Sequence, residues 1–103
     1  MTTNREELEN FLLNGWPFQM ATFIMTHKED ATYSVSAILT SASGEKIEVN
    51  STFKTREQAN YCMSRHEHSA ENSFGFSLVS REEGEGHSPD FGKEWMIETS
   101  TWS

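Results

Sequence analysis

The stretch Phe18 to Phe53, FQMATFIMTHKEDATYSVSAILTSASGEKIEVNSTF, carries the decision about the fold. Within it the hydrophobic period is two. Phe18, Met20, Thr22 and Ile24 alternate with Gln19, Ala21, Phe23 and Met25, which predicts a strand apolar on both faces. Lys28-Glu29-Asp30 breaks the run. Tyr33, Val35, Ala37 and Leu39 then alternate with Ser34, Ser36 and Thr40, until Ser41-Ala42-Ser43-Gly44 turns the chain. The returning strand sets Ile47, Val49 and Phe53 against Lys46, Glu48, Asn50 and Thr52, as a half-solvated antiparallel strand requires.

Outward from this stretch the period changes to that of helices. Thr3-Asn4-Arg5-Glu6 has the form of a capping box and is followed by the stripe Leu8, Phe11 and Leu12, with Asn14-Gly15 as the stop. On the other side, Thr55-Arg56-Glu57-Gln58 is a second such box, and Ala59, Cys62, Met63 and His66 follow at helical spacing. This predicts helices over about 3–14 and from Thr55 to about His68. Ser73 to Arg81 alternates through Phe74, Phe76 and Leu78, residues 82–92 form an acidic Gly-rich loop, and Lys93 to Trp102 alternates through Trp95, Ile97 and Thr99. The expectation is a single α+β domain over residues 1–103 in the order α-β-β-β-α-β-β. Its antiparallel sheet of about five strands carries both helices on one face.

Sixteen acidic against eight basic residues give a net charge of −8, which repels phosphate backbones and anionic lipid alike. Direct nucleic-acid and membrane binding are therefore disfavoured. The charge is uneven: residues 67–103 hold eight acids against two bases, Arg81 and Lys93, whereas residues 1–66 hold eight against six. The apolar run Trp16–Met25 is too short and too interrupted to span a bilayer. One cysteine, Cys62, allows no internal disulfide, and no charged-then-apolar leader opens the sequence, so a reducing cytoplasm is expected.

Three sets of residues are candidates for function. The carboxylates Glu82, Glu83, Glu85, Asp90, Glu94 and Glu98 form a candidate partner-binding surface, because carboxylates along a sheet edge can reproduce the charge pattern of a nucleic-acid backbone. Phe23, Met25, Met96 and Trp102 are candidate interface residues, since an apolar second sheet face calls for a cover such as a second copy of the chain. Cys62, His66 and His68 have a spacing that could bring two metal ligands onto one helix face, but the rest of a four-ligand pattern is missing, and covering the sheet is the more ordinary use of such positions. The 82–90 loop has neither the alternating ligand register of a calcium loop nor a nucleophile held by a base.

No catalytic residue and no cofactor are assigned. In size and charge the chain resembles the small acidic proteins of phages and mobile elements that inhibit host nucleases or defence complexes, a resemblance of composition alone. It implies a non-enzymatic acidic protein-binding module, an inhibitor or nucleic-acid mimic blocking a basic nucleic-acid-binding protein. The alternatives are a homodimeric structural or adaptor domain and a metal-binding domain built on Cys62, His66 and His68.

Overall fold

The computed structural model describes residues 18–84 and 95–103. Its elements are β1 (Phe18–His27), β2 (Tyr33–Ser41), β3 (Lys46–Phe53), α1 (Arg56–Asn72), β4 (Leu78–Glu83) and β5 (Trp95–Trp102). They build one antiparallel sheet in the order β3-β2-β1-β5-β4. Two short reversals produce the β1-β2-β3 meander. In the first, Lys28 donates to the Thr32 carbonyl at 2.8 Å, and the Asp30 carboxylate accepts from the Thr32 backbone N–H at 3.0 Å. In the second, Gly44 takes φ +87°, a backbone conformation open to glycine at little cost, and donates to the Ser41 carbonyl at 3.0 Å.

Helix α1 then carries the chain from the β3 edge to the β4 edge. At about 1.5 Å per residue its 17 residues reach about 26 Å. Five strands at about 4.8 Å spacing are about 19 Å across from first axis to last, so one helix covers the width. This corrects the expected fold class. The described residues contain a single helix, in the order β-β-β-α-β-β, and the layer they place on the sheet is that helix. The helix expected over 3–14 and most of the 82–92 loop lie outside the described residues.

The start of α1 follows its local sequence. Thr55 is extended, and its hydroxyl accepts from the Gln58 backbone N–H at 3.3 Å. The end does not: the helix continues past His68 to Asn72, because Ala70 prolongs the buried stripe of Ala59 and Met63 by another turn. The strand expected from Ser73 therefore begins only at Leu78. Phe74 and Phe76 lie in the connection, where Phe76 donates to the Ala70 carbonyl and Phe74 packs edge-on against Phe18 at 5.9 Å.

The second correction concerns which face of β1 is inside. Ala21, Phe23 and Met25 are buried with Val35, Ala37 and Leu39 of β2 and with Ala59, Met63 and Ala70 of α1. In the register, Ala21 lies opposite Leu39, Phe23 opposite Ala37 and Met25 opposite Val35, and directly opposed residues share a face. Met20 and Ile24, the alternate positions of β1, are on the other face. β2 and β3 are oriented as their one-sided alternation predicts, with Val35, Leu39 and Ile47 in the core. Trp102 and Ile97 complete it from β5, where a bulge opposite Met25 and Thr26 places Ile97 inward.

Candidate functional site

The last two strands meet the middle of α1 at a charged corner. Glu83 lies directly opposite Glu98 in the β4/β5 register, and Arg81 opposite Ser100, so all four positions are on the helix side of the sheet. From there Arg81 reaches up to Glu67 on α1 and forms an ion pair with it, and its Nε is 3.6 Å from Glu98 Oε1. Two carboxylates thus share one guanidinium, with Glu83 beside the second. Partial burial pushes the Glu98 carboxyl above its ordinary range, and the charges of Glu67 and Glu83 push the same way, against Arg81 and Arg56.

Of the six acids read from the sequence, the structure brings Glu83 and Glu98 together. It turns Glu82, opposite Thr99, to the other face. Glu85, Asp90 and Glu94 lie outside the described residues. Sequence reading missed Glu67 and Arg81 as members of this corner. Glu67 is four residues beyond the core residue Met63 on the helix, but nothing in the chain pairs it with a strand 14 residues later.

The apolar interface candidates are placed differently from the expectation. Phe23, Met25 and Trp102 belong to the core beneath α1, with Met25 at 0% exposure, so they cannot form an external interface. Met96, opposite Thr26, is on the open face and 38% exposed. That face is not the apolar surface expected. Around Met20, Ile24, Ile38 and Met96 it carries Thr22, Thr26, Ser34, Ser36, Thr40, Thr99 and Thr101, whose hydroxyls can bond to water.

Cys62 and His66 do meet, Sγ to Nε2 at 3.4 Å, and the His66 ring stacks on Phe23 at 5.3 Å. Burial raises the thiol and lowers the imidazole, so the pair is held neutral, the state of an unreactive thiol. His68 is turned away and bonds with Asn72 at 3.1 Å. His27 is stacked on Tyr33 at 4.4 Å, with Trp95 against its other side at 4.5 Å. Among the described residues no three His, Cys, Asp or Glu side chains converge as a metal site would require. Beside the helix, Phe23, Leu39, Val49, Ala70 and Phe74 line a groove of about 290 Å³ in which His66, Ser69 and Ser73 supply the polar groups. No helix among the described residues is long and apolar enough to cross a membrane. No family model, curated protein or solved structure matches this chain.

Proposed function

We propose that the protein is a non-enzymatic acidic module that binds a basic nucleic-acid-binding protein and inhibits it by occupying the surface a phosphate backbone would take. The observation that supports this reading is the gathering of Glu67 and Glu98 on Arg81, with Glu83 opposite Glu98 and Arg56 as a second cation acting on it. Among the described residues, carboxylates held together in part against their mutual repulsion, beside the exposed Glu82, outnumber Arg81 and Arg56 and make this corner net negative. The lone Cys62 suits a reducing cytoplasm as the place of action.

Capture of basic proteins on the immobilised full chain, followed by competition with duplex DNA, tests the proposal. Captured proteins should elute as ionic strength rises, be lost when Glu82 and Glu83 are both changed to Lys, and release DNA when the module is added. Capture that is indifferent to salt and to charge reversal would sink the electrostatic reading. Partners that keep their DNA while bound would sink the inhibitory one.

A further inference from the structure

We infer that the outer edge of β4 is the docking strand for an extended basic segment of the partner, which adds to the sheet as a sixth strand. This rests on the acidic-module reading and specifies how that partner is held.

Among the described residues strand β4 ends the sheet, and all six of its own residues are exposed. Gly84 donates to the Ile97 carbonyl at 2.9 Å, so Glu82 and Gly84 point their backbone groups at β5. By the alternation of antiparallel ladders, Arg81 and Glu83 aim their N–H and C=O outward, as a pairing template. The side chains along this edge select what pairs. Leu78 and Val79, 45% and 61% exposed at the bulge, offer apolar contact. Glu82 and Glu83 follow on opposite faces, and the one base of the strand, Arg81, is engaged by Glu67 and Glu98. A second copy pairing here would add its own Glu82 and Glu83 to the same edge with its one base, Arg81, already engaged, which is unfavourable. A strand with basic side chains on both faces and an apolar end is complementary. The opposite edge, β3, has no such character, since Lys46 stands in the same strand as Glu48 and the polar Asn50. In strand addition the main chain supplies affinity and alternate side chains supply specificity, and both parts are present on β4.

The probe is a capped octapeptide of four lysines followed by four valines, which as a strand has basic side chains on both faces and an apolar end, titrated into the protein. Amide hydrogen exchange is read by NMR, with spermine as a cation that lacks a peptide backbone. The peptide is expected to slow exchange at Arg81 and Glu83 and to bind more weakly as salt rises. Two variants separate backbone from charge. Glu83→Pro removes an outward N–H while sparing the inward ladder, as edge prolines do, and Glu83→Gln removes only the carboxylate. Peptide binding should fall about tenfold or more in the proline variant relative to the glutamine variant, the size of one or two lost backbone bonds.

Equal affinities for the two variants, or protection elsewhere than on β4, would overturn strand addition while the acidic-module reading stands. If neither peptide nor spermine binds in a salt-dependent way, both fall together. The spectrum of the proline variant shows whether its sheet is intact, and if it is not, the protection pattern on the unaltered protein decides the matter.

Discussion

Among the described residues, two buried polar atoms have no partner: the Ser100 hydroxyl, on a residue with no exposed surface, and the Trp102 indole nitrogen. A buried hydroxyl that has left water without gaining a bond costs stability, so Ser100→Ala should raise the unfolding free energy by about 1 kcal/mol. Chemical denaturation reads it, and a loss of stability would show that Ser100 is bonded in solution. His66 makes the residue scale depend on pH. Burial holds its folded value below the ordinary 6.5, so its favourable contribution is complete above that value and is lost as pH falls through the folded one. Stability should decline as pH falls below the ordinary histidine value, and His66→Gln should flatten that slope. Glu98 acts in the opposite sense. Its folded value lies above the ordinary 4.5, so acidification through that range relieves a strain and offsets part of the loss.

At the scale of the element, α1 shows how local signals and packing divide the work. Its start is a matter of one hydroxyl: Thr55→Ala removes the acceptor for the Gln58 N–H and should cost about 1 kcal/mol, measured as a lower denaturation midpoint. A change below a few tenths would mean that packing alone sets the helix entry. Its end was not legible in the same way. The run Phe74, Phe76, Leu78 has the period of a strand, yet the first two residues close over the end of the helix and pack against each other at 5.8 Å. Alternation there reports contacts between aromatic rings and does not report a ladder.

At the scale of the molecule, among the described residues, the helix side of the sheet is closed by α1 and the other side is lined largely by hydroxyls. The expectation of an apolar dimer face came from Phe23, Met25, Met96 and Trp102, of which all but Met96 are core residues. With those three inside, and with carboxylates on the β4 edge opposing self-pairing, the chain is expected to stay monomeric. Light scattering over a dilution series checks this, and a doubling of mass at high concentration would contradict it. The acidic reading depended least on the packing, since charge segregation is visible in composition. Its geometry was hidden: Glu82 and Glu83 are neighbours in sequence and face opposite sides of the sheet, whereas Glu67 and Glu98 are remote and share one arginine.

The sequence by itself determined what has a local cause. The period-two strands, the turn at Gly44, the Thr55 cap and the inward faces of β2 and β3 follow from alternation, from one positive φ and from one side-chain acceptor. Only the tertiary structure decided the face of β1, because both of its faces are apolar and its alternation has no preferred side. The choice was made across the Lys28–Thr32 turn, which places Ala21, Phe23 and Met25 opposite the one-sided Leu39, Ala37 and Val35 of β2. The same holds for the charged corner, where the helix crossing sets Glu67 against Arg81, a pairing of distant elements that no spacing along the chain encodes.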